Sequence, residues 1–444
     1  MSQLLKLAFP ILIEQILRSL MGTVNTFMLS RISDNAAASV GVANQVLNIP
    51  TSLSTLLALG ASILINQNLG AGNKKEAGKL SMNSISVVTG VGIVISLFLA
   101  VCAQPILGAI GLSPELLPDA VLYLRIIGGI CFMQFASATV STIFRGYGKA
   151  TIPMYIIVFN NIINISGSIP VVMGIAPLKG VAGIATVRLV SETLGLVLSF
   201  FLLSRENWDM HISDILHIKK KDALTILRLG FMSGLEGLSF QTCQLVTTAF
   251  IASFPAAVLS AKVYTQTVNV YAYYPGYALG MATQIISGHM IGAGKREEAL
   301  AFVKKNWRYI AGSNIVCCVL FWIFSRSLIG LFTDSEEIIG IARTLFFIDI
   351  ITNQGRALNH TFNFSLRSAG YIFRPMIFAV ISIWLVQVFG GYTLSVSLGF
   401  GIVGIWIAQA SDEWLRGLVD TYFWFSRKWM KTQLVEKRSE DSEA

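Results

Sequence analysis

The feature that most constrains this chain is a series of long apolar stretches that recur from one end to the other. A helix needs about 20 mostly apolar residues to cross the hydrocarbon core of a bilayer, and each stretch is about that long. None shows the alternation of a membrane β-barrel strand, so the sequence predicts an all-α integral membrane protein with twelve transmembrane helices. The predicted helices lie near residues 4–29, 40–66, 83–103, 120–143, 152–174, 181–203, 224–251, 260–287, 307–325, 340–365, 375–396 and 402–425.

The composition supports this class and excludes others. Hydrophobic residues make up 54% of the 444 residues and charged residues 13%, whereas an average soluble domain has about 25% charged residues. This balance excludes a disordered chain, an ordinary soluble enzyme and a basic nucleic-acid-binding domain, so no nucleic-acid partner is expected. The five cysteines lie in apolar stretches without C-x-x-C spacing, which is typical of small buried hydrophobic residues.

Lysine and arginine are concentrated in alternate loops. Because cytoplasmic loops are rich in these residues, the sequence predicts a multi-pass protein of the cytoplasmic membrane with both termini in the cytoplasm. Binding of lipid headgroups is a second role compatible with the same loops. The basic clusters lie within residues 74–79, 145–149, 205–221, 295–305, 367–374 and 427–438.

The two halves of the chain repeat one another. The stretch Gly70-Ala-Gly-Asn-Lys-Lys-Glu-Ala77 recurs as Gly292-Ala-Gly-Lys-Arg-Glu-Glu-Ala299. The near-constant offset predicts two six-helix bundles related by pseudo-two-fold symmetry along the membrane normal, with the ligand site between them. Further pairs at this offset are Glu14 with Glu236, Arg145 with Arg367, Gly148 with Gly370, Gln45 with Gln266, Asn48 with Asn269, and Glu192 with Glu413.

The repeat predicts four segments. Residues 1–204 form an N-terminal six-helix lobe, and residues 205–222 form a cytoplasmic linker. Residues 223–426 form a C-terminal six-helix lobe, and residues 427–444 form a charged cytoplasmic tail.

Seven short motifs follow one another at fixed spacing. They are Phe9-Pro10, Val42-Ala-Asn-Gln45, Gln67-Asn-Leu-Gly-Ala-Gly72, Phe144-Arg-Gly-Tyr-Gly148, Gly230 to Glu236, Ile291-Gly-Ala-Gly294 and Leu366-Arg-Ser-Ala-Gly370. In this order they resemble the multidrug and toxic compound extrusion (MATE) family over essentially the whole chain. The resemblance implies two lobes with alternating access, and antiport of organic, often cationic compounds against Na⁺ or H⁺. It implies small-molecule substrates, a lipid environment, no cofactor beyond the coupling ion and no obligate protein partner.

Two other functions are alternatives to export. A flippase for a lipid-linked precursor would share the two-lobed architecture, and Arg188 and Arg356 could serve as cationic residues for its phosphate. A membrane enzyme would need a cluster of nucleophile, base or metal ligands, and the loops are short. The chain also has no P-loop for ATP, so neither an enzyme nor an ATP-driven pump is expected.

The chain departs from the family pattern where the resemblance places cation coupling. Asn25 stands where a proton-coupled first lobe would carry an Asp, and Ser168 follows Asn164 where a second Asp is expected. In the second lobe the helix 7 glutamate is present as Glu236, whereas Arg356 replaces the helix 10 aspartate. Whether Na⁺ or H⁺ is the coupling ion therefore stays open.

Charged residues inside the predicted spans are candidate functional residues, because an unpaired charge in a bilayer is costly. Glu14 and Arg18 stand at i, i+4 in helix 1, and Arg188 and Glu192 do so in helix 6, a spacing at which side chains meet. Two interpretations are open for each couple, an ion pair that allows the helix to insert and part of a gate.

Glu236 differs because no cation lies near it in helix 7. It is predicted either to pair across helices with Arg356, or to be protonated or ion-bound during part of the cycle, as the main coupling group. In helix 12, Asp412 and Glu413 share the single Arg416, which leaves one carboxylate without a partner on its own helix.

Two amide couples recur in the halves. Gln45 with Asn48, and Gln266 with Asn269, stand at i, i+3 on one helix face. Amides in a membrane need hydrogen-bond partners, so these side chains are expected to face the bundle interior, either as packing contacts or as ligands that line a cavity.

Overall fold

The computed structural model describes residues 2–110, 112–206, 208–211, 214, 219–251, 254–432 and 434–435. Parts of the predicted linker and tail, residues 207, 212–213, 215–218, 433 and 436–444, lie outside the described residues. The described residues form helices and no β-strand. The α-helices are α1 (Ser2–Ser30), α2 (Asp34–Gly70), α3 (Lys74–Ala109), α4 (Leu117–Gly129), α5 (Phe132–Gly146), α6 (Thr151–Val172), α7 (Gly180–Ser204), α8 (Lys220–Ile251), α9 (Ala256–Gly292), α10 (Arg296–Ile323), α11 (Ser325–Ile329), α12 (Glu336–Ser368), α13 (Phe373–Ser382) and α14 (Gly401–Phe425).

Among the described residues, five segments are long and apolar enough to cross a membrane, namely α2, α3, α6, α7 and Phe373–Ser397. The last of these continues α13 through two π-helical stretches. The pair α4 and α5, bent by 43°, would make a sixth span. The other predicted stretches fall in α1, α8, α9, α10, α12 and α14, and the count of twelve spans stays a prediction.

One compact unit comprises Ile13–Ile65 and Lys74–Phe231. Within it α3 packs against α4 and α5, and α6 packs against α7. The start of the predicted linker belongs to this unit, and within it the Trp208 ring stacks on Tyr147 with centroids 3.9 Å apart. Burial raises the pKa of the Tyr147 phenol to about 12.

The second compact unit comprises Met1–Leu12, Asn66–Asn73 and Met232–Ala444. Its central helix is α12, which packs against α9, α10 and α14. The division into units differs from the predicted lobe boundaries because it assigns the start of α1 and the end of α2 to this second unit. The lobe boundaries stay a prediction.

The repeated glycines form the same turn in both halves. Gly72 and Gly294 each have φ of +79°, and Gly148 and Gly370 have φ of +81° and +76°. Such left-handed backbone favours glycine directly after a helix, where the next N–H bonds back to a carbonyl of the last helical turn. Those bonds are present, for example from Asn73 at 2.9 Å. At these four helix ends, the repeated sequence therefore adopts the same backbone conformation in both halves of the chain.

Candidate coupling site and substrate groove

Glu14 is fully buried and is held by two arginines. Its carboxylate lies 2.6 Å from Arg145 Nη2 and 3.0 Å from Arg18 Nη2. Arg18, at the predicted i, i+4 position, has a half-exposed side chain, whereas Arg145 is 11% exposed. The predicted pair with Arg18 is confirmed, but the buried partner is Arg145 of α5, which the i, i+4 spacing within one helix could not indicate.

Glu236, the repeat counterpart of Glu14, has the equivalent partner. Its Oε2 accepts a hydrogen bond from Arg367 Nη2 at 2.7 Å, and its Oε1 accepts one from Arg416 Nη1 at 3.1 Å. Glu14 with Arg145 and Glu236 with Arg367 are both 131 residues apart. The prediction that Arg356 is the partner of Glu236 is therefore wrong, because the orientation of α12 directs Arg367 toward it instead.

Arg356 pairs with a different carboxylate. Its Nε lies 3.1 Å from Glu413 Oε1, and Asn359 donates to the other oxygen of Glu413 at 3.2 Å. Arg416 contacts Asp412 at 2.9 Å and Glu413 at 3.2 Å. One carboxylate of α14 was predicted to lack a partner on its own helix. Arg356 of α12 supplies the additional positive charge.

These contacts form one buried chain of alternating charge. It runs from Arg356 through Glu413, Arg416 and Glu236 to Arg367, and it joins α8, α12 and α14. Each carboxylate in the chain is flanked by two guanidinium groups. A change of charge at any member consequently alters the attraction between three helices.

The repeat counterpart of Glu413 is Glu192, and it is held less strongly. Arg188 Nε donates to Glu192 at 3.0 Å, as the i, i+4 spacing predicted. Gln134 donates to the same oxygen at 3.4 Å, and Tyr123 accepts a 2.7 Å bond from Arg188. Gln134 occupies the position in α5 that corresponds to Arg356, so this half of the chain has a neutral amide where the other half has a cation.

Three further candidates in the first unit carry unpartnered polar atoms. Asn164 and Ser168 are buried in α6, and neither Asn164 Oδ1 nor Ser168 Oγ has a hydrogen-bond partner among the residues that the structure describes. The same holds for Asn25 Oδ1 in α1. None of the hydrogen bonds between described side chains brings Asn25 and Asn164 together, and their role in binding stays a prediction.

The two amide couples lie in different surroundings. Gln45 and Asn48 are exposed in α2, so they are not packing contacts within their unit. Gln266 and Asn269 are half-buried in α9, and Asn269 Oδ1 lies 3.5 Å from Asn353 Nδ2 of α12. The interpretation that Gln45 and Asn48 line a cavity stays a prediction.

An open groove follows one face of α1. It has a volume of about 510 Å³ and is lined by Ser19, Gly22, Thr23, Phe27 and Ser30. Sites for small molecules usually enclose about 300–1,000 Å³, with mostly apolar walls and a few polar groups. The volume of this groove lies within that range, and its lining combines one aromatic side chain with three hydroxyl groups.

We expect the two arginines that hold Glu14 to differ sharply in importance. Arg145→Met should lower the free energy of unfolding by about 3–5 kcal/mol, because it leaves a buried carboxylate with one half-exposed partner. Arg18→Met should cost no more than about 1 kcal/mol, as for a solvent-exposed pair. Unfolding of the purified protein in detergent measures both.

A charge swap tests the same geometry. Glu14→Arg with Arg18→Glu should not rescue stability, because it places a guanidinium against Arg145. Recovery in the swapped protein, or equal losses in the two single variants, would contradict the assignment of Arg145 as the main partner.

Comparison with known proteins decides the family. The MatE family model matches residues 10–169 and again residues 233–393, once in each half. The chain belongs to the MatE family. MatE proteins are transporters and not enzymes, so this chain is a multi-pass membrane transporter, as its sequence predicts.

Named MatE relatives and solved structures cover nearly the whole chain. An uncharacterized transporter, YisQ of Bacillus subtilis strain 168, is 36% identical over 96% of this chain and 95% of its own length. A probable multidrug resistance protein, NorM of Thermotoga maritima, is 26% identical over 98% and 94%. An outward-facing multidrug resistance MATE transporter of the MOP superfamily superposes with a TM-score of 0.88 at 18% identity, over 96% and 95%.

Sequence reasoning missed the arginine partners although a signal for them was present. Glu14 with Glu236 and Arg145 with Arg367 stand at one repeat offset, and an acid and a base that are both duplicated indicate a duplicated ion pair. It also missed Asp349, a buried carboxylate in α12. Asp349 lies two helical turns before Arg356, outside every motif of the family resemblance.

Proposed function

We propose that this MatE protein is a secondary-active antiporter that exports organic, cationic and amphipathic compounds in exchange for Na⁺ or H⁺ by alternating access. The observation that carries the proposal is the buried carboxylate of Glu236, which is bonded to Arg367 of α12 and Arg416 of α14. A proton on Glu236, or a cation bound elsewhere whose charge acts on Glu236 through the charge chain, would weaken its hold on both arginines. Cation entry would thereby loosen contacts between three helices.

The groove on α1 supports an organic substrate. Its apolar contribution comes from Phe27, and its serine and threonine hydroxyls can accept hydrogen bonds from an organic cation. Multidrug resistance proteins among the relatives support the same substrate class. We further propose twelve spans in two lobes and cytoplasmic termini, because the basic loops alternate with loops of low charge.

The flippase alternative is less well supported. A phosphate-binding cavity needs cationic side chains that are not already neutralised. Arg188 is paired with Glu192, and Arg356 is paired with Glu413. Both arginines that kept this alternative open are thus compensated by glutamates.

Reconstituted protein tests the proposal. In proteoliposomes, a Na⁺ gradient and an H⁺ gradient are imposed in separate experiments, with a fluorescent organic cation as the substrate. We expect one of the two gradients to drive the cation against its own concentration gradient, and the collapse of that gradient by an ionophore to stop it. Transport that is insensitive to both gradients would overturn the proposal.

A further inference from the structure

The second compact unit contains buried carboxylates that its arginines do not reach. Five acidic side chains are buried there among the described residues, and three of them form ion pairs with the three buried arginines. The two without an ion pair are Asp349 of α12 and Asp420 of α14. These two have different surroundings, and the difference identifies a site.

Both aspartates have a hydrogen bond with a neutral neighbour, but only Asp349 has a fully buried oxygen without a partner among the described residues. Asn363 Nδ2 donates to Asp420 Oδ2 at 3.0 Å, and neither oxygen of Asp420 is among the fully buried side-chain atoms that lack a hydrogen-bond partner in the described part of the chain. Asp349 is 2% exposed and is hydrogen-bonded by Trp406, but no described residue donates a hydrogen bond to its Oδ2. A buried carboxylate oxygen without a donor is costly and calls for an ion or a proton.

A second oxygen without a donor among the described residues belongs to Asn314, which is linked to Asp349 through Asn353 by two hydrogen bonds. Asn314 of α10 is fully buried, its Nδ2 donates to the Asn353 backbone carbonyl at 3.1 Å, and its Oδ1 has no hydrogen-bond partner within the described part of the chain. Asn353 in turn donates to the Asp349 carbonyl at 2.9 Å. Asp349, Asn353 and Arg356 follow one face of α12, and Asn314 and Cys318 follow the facing side of α10.

We propose that Asp349 and Asn314 form a Na⁺ site between α10 and α12, with Asp349 Oδ2 and Asn314 Oδ1 as ligands. Carboxylate and amide oxygens are the ligands that hard cations prefer. One monovalent cation compensates the charge of Asp349 and occupies both oxygens that lack a donor. Glu236 is unsuited to this role, because both of its oxygens already accept hydrogen bonds from arginines.

The site deepens the proposed antiport and rests on it, since it names where the exchanged cation binds. Asp349 interacts electrostatically with Arg356, the first member of the alternating charge chain. A Na⁺ ion at Asp349 weakens that attraction and strengthens the hold of Glu413 on Arg356. The effect is transmitted through Arg416 toward Glu236.

Binding can be tested without transport. Thermal unfolding of the detergent-purified protein should be followed with a thiol-reactive dye, because Cys131, Cys243 and Cys318 are buried and react on unfolding. At constant ionic strength and fixed pH, we expect NaCl to raise the unfolding temperature saturably, and choline chloride not to. Asp349→Asn should abolish this shift, whereas Asp420→Asn, the matched buried carboxylate, should retain it.

A second variant keeps the test independent of the folding of Asp349→Asn. A Cβ at Gly276 of α9 would overlap Asn314 Oδ1, so Gly276→Ala displaces this ligand and leaves the charge of Asp349 in place. It should weaken the apparent Na⁺ affinity about tenfold or more. Gly280→Ala, one turn further along α9, should leave the affinity unchanged, because its Cβ would meet His360 and Phe364.

The outcomes separate this site from the proposed function. In one outcome, Na⁺ raises the unfolding temperature in a way that depends on Asp349 while a Na⁺ gradient drives no efflux. That result supports the site and overturns coupling through it. Gradient-driven efflux from a protein without a Na⁺ shift overturns the site and leaves export standing. A shift produced by lowering the pH and not by Na⁺ would assign the charge to a proton and overturn the Na⁺ site.

Discussion

Glu236→Gln is expected to abolish gradient-driven efflux per folded molecule. The substitution preserves the shape of the side chain but removes the charge that holds Arg367 and Arg416. Arg416 keeps Asp412 and Glu413 as partners, whereas Arg367 loses its only ion pair among the described residues. The variant should therefore also lose about 3–5 kcal/mol of stability, because a buried guanidinium is left uncompensated.

The matched control is Glu14→Gln. It breaks the equivalent pair with Arg145 and should cost a similar amount of stability. Glu14 is not part of the alternating charge chain, so its variant should retain efflux once transport is normalised to folded protein. Efflux in proteoliposomes and unfolding in detergent together measure both effects. Full transport by Glu236→Gln, or an equal loss in Glu14→Gln, would show that Glu236 is not the coupling group.

Gly292→Ala is expected to be among the most destabilising single-methyl changes in the chain. A Cβ at Gly292 would overlap the backbone carbonyl of Gln67, and a Cβ at Gly70 would overlap the carbonyl of His289. The ends of α2 and α9 therefore cross backbone to backbone. Because a backbone carbonyl within a helix cannot move aside as a flexible side chain does, we expect a loss of about 2–3 kcal/mol from overpacking.

Gly312→Ala is the control, for which we expect a gain in stability and not a loss. No atom of the described residues lies within 4 Å of a Cβ at Gly312 in the middle of α10, so alanine there should stabilise the protein. The gain should be about 0.5–1 kcal/mol, the helix preference of alanine over glycine. Unfolding temperatures of both variants in the same detergent measure the difference. Similar temperatures for the two would disprove the close crossing of α2 and α9.

Most of the fold class followed from local features of the sequence. Long apolar stretches predict helices wherever a bilayer must be crossed, and a described helix or bent helix pair covers nearly all of each predicted stretch. The repeated Gly-Ala-Gly segments predicted a duplication, and their glycines at positions 72 and 294 share one backbone conformation. Periodicity and glycine positions are properties of neighbouring residues, so a single sequence displays them.

In the candidate site, too, contacts within one helix were predictable from the sequence and contacts between helices were not. The pairs Glu14 with Arg18 and Arg188 with Glu192 were correctly predicted, because helix geometry alone places residues i and i+4 together. The pairing of Glu236 was not correctly predicted. Its partner depends on which face α12 turns toward α8, and on the height at which the two helices cross.

The sequence by itself thus determined the helical membrane class, the duplication, the family and the ion pairs within single helices. The tertiary structure alone decided that Arg367 binds Glu236, that Arg356 binds Glu413, and that Asp349 is left without an arginine. The physical reason is one of range. Contacts within a helix follow from its 3.6-residue repeat, whereas contacts between helices depend on rotations and translations that only the packing of the whole unit sets.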